Sequence, residues 1–187
     1  GYLLAHPRKI NKFKKYTTNI DGIKIHFIKK KGSSENSKPL LLMHGWPGSI
    51  IEFLNIIEKL SHPEKFGGNE NDSFDVIVPS LPGFGFSGSP SKPMGPRKMA
   101  EILNKLMIEN LGYKNYMAQG GDWGATIANW LGNDHSDFCK AIHINCLTMR
   151  HHEGPQSDAE RNWQKKFNED QIMQEGYRTQ QATKPQS

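Results

Sequence analysis

The sequence predicts an α/β fold, a mostly parallel sheet flanked by helices. Two short apolar runs, at 39–43 and Phe74–Pro79, have the composition of strands buried on both faces. Stretches with apolar residues at helical spacing separate them from further strand-like segments. The strands end in loops rich in Gly and Pro, where a chain leaving a sheet must turn sharply. Strands that alternate with helices in this way form a parallel sheet with helices on both faces.

The elements can be justified in order. Asp21-Gly22 is a turn dipeptide, and the alternation from Ile23 to Ile28 makes this region a strand or hairpin. A polar loop over 32–38 leads into the first buried strand, 39–43. His44-Gly45-Trp46-Pro47-Gly48 breaks it. Ser49 then caps a helix through about Leu60, with Ile50, Phe53, Leu54 and Ile57 on one face. Phe74–Pro79 is the second buried strand, followed by a loop over 81–88 and a helix over about 96–111. A third strand over 113–119 enters the turn Gly120-Gly121-Asp122-Trp123-Gly124. Residues 125–131 are helical and 140–147 form a fourth strand. From His151 the composition turns polar, with Trp163, Phe167 and Ile172 at helical spacing. The expected division is a sheet core over 1–148 and a separate helical element beginning within 149–187.

Composition narrows the class. Eighteen Gly and eleven Pro beside 35% hydrophobic residues describe a turn-rich globular chain, not a coiled coil or a disordered tail. The net charge of +5 is concentrated in Lys12, Lys14, Lys15, Lys24 and the run Lys29 to Lys31. No nucleic-acid-binding motif accompanies these lysines, so they read as a solvated face. Cys139 and Cys146 are read as reduced and buried, in a cytoplasmic setting. No apolar run reaches bilayer length. Gly1 in place of Met, and the end on Lys184-Pro185-Gln186-Ser187, are read as cuts in a longer parent, which leaves an upstream membrane anchor open. The histidines and carboxylates show no ligand spacing, so no metal or cofactor is expected.

The turn at 120–124 carries the chemistry. It has the form Gly-x-nucleophile-x-Gly between a strand and a helix, the nucleophile elbow of the α/β-hydrolase fold, with Asp122 where esterases carry Ser. The glycines are required because a strand folding abruptly into a helix leaves no room for neighbouring Cβ atoms. A carboxylate there can displace at a saturated carbon to give an alkyl-enzyme ester, whose carbonyl water then attacks. That chemistry suits epoxides and alkyl halides better than ordinary esters. Alone the pattern is weak. It gains weight from His44-Gly45-Trp46-Pro47 after another strand, where this fold places its first oxyanion loop. The two oxyanion donors would be the N–H groups of Trp46 and Trp123. Trp46, Phe84, Phe86 and Trp123 supply an aromatic lining for a lipophilic substrate. His44 belongs to the loop and reads as structural.

In these stretches, together with Pro79-Ser80-Leu81-Pro82-Gly83-Phe84-Gly85-Phe86-Ser87, Gly176-Tyr177 and Thr183-Lys184-Pro185, the chain resembles the microsomal and juvenile-hormone branch of the epoxide hydrolases. The resemblance implies that 149–187 begins a helical lid and that Tyr177 is a lid tyrosine donating to the epoxide oxygen. It also implies a cis peptide before Pro47. The chain departs from that family in lacking the late acid, the late base histidine and a second lid tyrosine. His135, His143, His151 and His152 follow Asp122, and none stands in such a late loop. The 187-residue chain is therefore expected to be a truncated, inactive internal piece of an active parent. Two alternatives stay open. A haloalkane dehalogenase shares the Asp elbow but resembles an Asn or Glu where Trp46 stands. A non-catalytic ligand-binding homologue would account for the missing histidine.

Overall fold

Asp21 and Gly22, at φ 50° and 80°, turn Lys15–Ile20 (β1) back onto Ile23–Lys30 (β2) as an antiparallel hairpin with Ile20 facing Ile23. The computed structural model describes residues 10–147, 154–174 and 176. The remaining strands are Lys38–Met43 (β3), Phe74–Pro79 (β4), Tyr116–Gly120 (β5) and Cys139–Ile144 (β6). They form one sheet in the order β1-β2-β4-β3-β5-β6. β2 meets β4 antiparallel, while β4, β3, β5 and β6 run parallel. The sheet is therefore the predicted, mostly parallel one with an antiparallel hairpin added at one end.

Alternation along each strand sorts the core into two layers. Leu41, Met43, Ile77, Tyr116 and Ala118 face a layer built with Ile102, Leu103 and Leu106 of Pro96–Lys105 (α2) and its continuation. Ile127, Ala128 and Leu131 of Trp123–Asp134 (α3) join them. Leu42, Val76 and Val78 face the opposite layer, closed by Ile50, Phe53, Leu54 and Ile57. Burying each such aliphatic side chain contributes about 1.5–3 kcal/mol before the cost of ordering it.

Two helices differ from expectation. The predicted helix over 49–60 begins as foreseen, with Ser49 Oγ accepting the Ile51 N–H at 3.3 Å. It then forms only a 3₁₀ turn, Ile50–Phe53, before a short helix Ile57–Ser61 (α1). Four isoleucines and Asn55 are weak helix formers in this stretch, and the docking of four apolar side chains on the sheet outweighs helix continuity. The helix predicted over 96–111 starts at Pro96, but its last turn, Leu106–Asn110, widens into a π-turn closed by Leu111 N–H to Leu106 O at 3.0 Å.

Residues 1–147 and 148–187 form two compact units. The second contains Asp158–Gln174 (α4), opened by a capping box. Ser157 Oγ accepts the Glu160 N–H at 3.2 Å, and the Glu160 carboxylate accepts the Ser157 N–H at 3.1 Å. Trp163 and Phe167, one turn apart, stack at 4.8 Å. Among the described residues no helix is long and apolar enough to cross a membrane.

Candidate active site

The strand order creates the site. From β3 the chain crosses to β4 on one side, then returns past β3 to β5 on the other. The loops leaving β3 and β5 therefore diverge at the carboxyl edge, the switch point where open α/β sheets hold their ligands. Met43 and Gly120 are register partners at that edge, so His44-Gly45-Trp46 and Gly121-Asp122 emerge side by side.

Asp122 stands between β5 and α3 at φ 50° and ψ −121°. A non-glycine residue there carries about 1–3 kcal/mol of backbone strain, which the two elements around it enforce. The flanking glycines permit that close approach. A Cβ on Gly120 would run into the backbone of Gly124, and one on Gly124 would run into the Met43 carbonyl. Asp122 O closes the first turn of α3 by accepting from Ala125 N–H at 3.1 Å, which leaves the carboxylate at the helix N-terminus.

The carboxylate is already engaged. Trp46 N–H donates to Asp122 Oδ1 at 2.7 Å, and the Trp46–Pro47 peptide is cis. Trp123 is the first residue of α3, so its N–H is one of the helix's free first-turn donors and lies next to Asp122. An open depression of about 420 Å³ lies over these groups. Gly45, Trp46, Pro47 and Gly48 line one side and Gly121, Asp122 and Asn145 the other, with Glu52 beside Gly48.

The sequence-predicted aromatic residues separate into two groups. Trp46 and Trp123 adjoin Asp122 and stay 45% and 40% exposed. Phe84 instead packs edge-on against His44 at 5.4 Å, and Phe86 leans on His26 at 4.9 Å. Tyr177, His151 and His152 lie outside the described residues. His135 ends α3, and His143 lies exposed on β6. Among the described residues no cluster of His, Cys, Asp or Glu is placed to hold a metal ion. Reading the sequence missed Glu52 and Asn145. The signal for Glu52 was Ser49-x-x-Glu52, the spacing of a capping box. Asn145 was readable only as the residue after a strand whose neighbour carries the elbow.

Two buried histidines fasten loops to this region. His26 Nδ1 meets Ser80 Oγ at 3.0 Å, and the His26 backbone N–H donates to Ser87 Oγ at 2.9 Å. Burial, helped by Lys15 and Lys24, pushes the His26 pKa below its ordinary 6.5. Burial also pushes His44 down, against smaller opposing effects from the Gly45 carbonyl and Glu52. Both rings thus bind a proton less readily folded than unfolded. The stability they confer is complete above about pH 6.5 and drains away as the pH falls below it toward their folded values. We expect the melting temperature to drop between about pH 7 and about pH 5, and less so in His26→Gln. Thermal melts across that range check this, and a flat profile would contradict it.

Known proteins resemble the chain in sequence and fold. Residues 38–187 match the family model for the alpha/beta hydrolase fold, and residues 4–53 match that for the epoxide hydrolase N terminus. The chain belongs to the α/β-hydrolase family. Within it, the likeness is to epoxide hydrolases. A putative epoxide hydrolase of Stigmatella aurantiaca is 40% identical over 95% of this chain and 41% of its own length. Juvenile hormone epoxide hydrolase 1 of Ctenocephalides felis is 41% identical over 70% of this chain and 30% of its own. The structure of Aspergillus niger epoxide hydrolase superposes with a TM-score of 0.75 at 33% identity, covering 95% of this chain and 47% of that one. The chain thus spans less than half the length of these hydrolases.

Proposed function

We propose that the protein carrying this chain is an epoxide hydrolase that adds water to a lipophilic epoxide through a covalent ester on Asp122. The observation that carries this reading is the Asp122 carboxylate, fixed on a strained elbow with one oxygen held by the Trp46 N–H at 2.7 Å.

Oδ2 attacks an epoxide carbon from behind the C–O bond. The ring opens, and the alkoxide takes a proton from a donor, the role we assign to Tyr177 by likeness to the family. The product is an alkyl ester of Asp122. Water, activated by a base, then adds to the ester carbonyl carbon. The negative charge that develops on Oδ1 faces the N–H groups of Trp46 and Trp123, which stabilise it. Collapse expels the diol and restores the carboxylate. Residues 149–187 would begin the lid over the substrate, with Trp46, Trp123, Phe84 and Phe86 as candidate lining. His44 serves Leu81 and Gly45, and His143 is on β6, so neither is placed to be the base. By likeness to the family, whose base stands in a later loop than any histidine of this chain, we expect these 187 residues alone to stop at the ester.

A single turnover of the full-length protein with styrene oxide in ¹⁸O-water tests this. The first diol should carry the unlabelled oxygen of Asp122, and the label should enter the Asp122 carboxylate. Label in the diol alone would refute an ester intermediate. Halide release from a 1-haloalkane with no diol would identify a dehalogenase, and tight binding without product a ligand-binding homologue.

A further inference from the structure

The Trp46 N–H that meets Asp122 shares a peptide unit with the Gly45 carbonyl. That unit is trans, since the cis bond is the next one along. In a trans peptide the C=O and N–H point in opposite directions within one plane. A donor that pins the carbonyl therefore also sets where the N–H aims.

His44 is that donor. Its Nδ1 lies 2.9 Å from Gly45 O. Leu81 N–H donates to Nε2 at 3.1 Å, so Nε2 must be the acceptor nitrogen and the proton of the neutral ring sits on Nδ1. The ring is fully buried, with the edge-on Phe84 at 5.4 Å. The contacts form a continuous relay: Leu81 N–H to His44, His44 Nδ1–H to Gly45 O, and Trp46 N–H to Asp122 Oδ1 at 2.7 Å. Hydrogen bonds in series polarise one another, so pinning the carbonyl also strengthens the N–H as a donor.

We infer that His44 is a positioning residue that aims the Trp46 N–H at Asp122, through one tautomer and without touching the substrate. Its kinetic consequence rests on the reading of Asp122 as nucleophile; its structural consequence does not. In the resting protein the aimed N–H holds one carboxylate oxygen. After ester formation the same N–H faces the oxygen on which charge develops, so His44 should matter most for ester hydrolysis.

Two substitutions separate aiming from space-filling. In His44→Asn the amide nitrogen reaches the place of Nδ1 and keeps a donor for Gly45 O while giving up the bond to Leu81. In His44→Gln the amide reaches the place of Nε2, keeps an acceptor for Leu81 and leaves the Gly45 carbonyl without a donor. Each is made in the full-length protein, and the Trp46 amide proton shift and the pre-steady-state ester kinetics with styrene oxide are measured. We expect H44N to keep the downfield Trp46 amide and to hydrolyse the ester within about fivefold of the parent, while H44Q loses both, with hydrolysis slowed about 100-fold and ester accumulating. An H44Q protein that matches or exceeds H44N on both readouts would overturn the inference, leaving His44 as an anchor for the Leu81 loop. If neither variant folds, ¹⁵N spectra of the unaltered protein decide it: a proton on Nε2, or a Trp46 amide that exchanges like an unbonded one, refutes it. If the unaltered protein forms no ester, the functional reading fails while the spectra still judge His44.

Discussion

Asp122→Ala should abolish ester formation with a lipophilic epoxide and cut diol production by roughly 10,000-fold or more, the scale of loss when an enzyme's nucleophile is removed. The expectation follows from position. Asp122 lies at the switch point with its carboxylate held at 2.7 Å by Trp46 N–H, and Asn145, on the same side of the depression beside Gly121, carries an uncharged amide. Glu52 is the other carboxylate lining the depression, but it lies at Gly48 on the loop side, in the first turn of a capped segment rather than on the elbow. Asp122→Asn separates charge from shape, since an amide of the same size can accept from Trp46 yet attacks carbon poorly. Intact mass after mixing with epoxide reads the ester, and chromatography reads the diol. Diol formation above about 1% of the parent rate in Asp122→Ala would place the nucleophile elsewhere.

Gly124→Ala should cost about 3 kcal/mol of stability and lower the melting temperature by about 10 °C. Its Cβ would meet the carbonyl groups of Met43 and His44, which are backbone and cannot rotate aside. The only relief is to part α3 from β3, which draws in the pairing of Met43 with Gly120 that sets the two loops side by side. Gly95→Ala is the control. Gly95 precedes α2 at φ −83°, with nothing near its would-be Cβ, so its cost should stay within about 1 kcal/mol. Thermal melts of both variants check the difference. Equal melting temperatures would mean that the elbow has more room than its geometry shows.

The sequence showed the architecture wherever one local rule decided it. Phe74–Pro79 has its predicted bounds because a buried strand needs only an apolar run and a stop. The Asp21-Gly22 hairpin and the Pro96 helix start were equally plain, as turn and first-turn chemistry are local. Tertiary contacts decided the rest. The segment after Ser49 has the apolar spacing of a helix but breaks into short turns, because the docking of Ile50, Phe53, Leu54 and Ile57 on the sheet counts for more than helix continuity. The antiparallel contact of β2 with β4 joins residues far apart in sequence and leaves no local trace. At the site, the Gly-x-Asp-x-Gly pattern and the Trp46 donor were legible because strained turns demand particular residues. The packing of Phe84 on His44 and of Phe86 on His26 was not, since no local pattern marks which partner an aromatic ring meets in the fold. Glu52 and Asn145 enter the depression only through pairing between strands and loops that no short window contains.

The adjacency of β3 and β5 also bears on how such a protein can diversify. Asp122 and the loop that holds it leave neighbouring strands locked in register, Met43 to Gly120, within a span that ends at Gly124. If Asp122 is the nucleophile proposed above, mutations outside this span would reshape substrate preference while its carboxylate keeps its place, so selection could act on specificity and on chemistry separately.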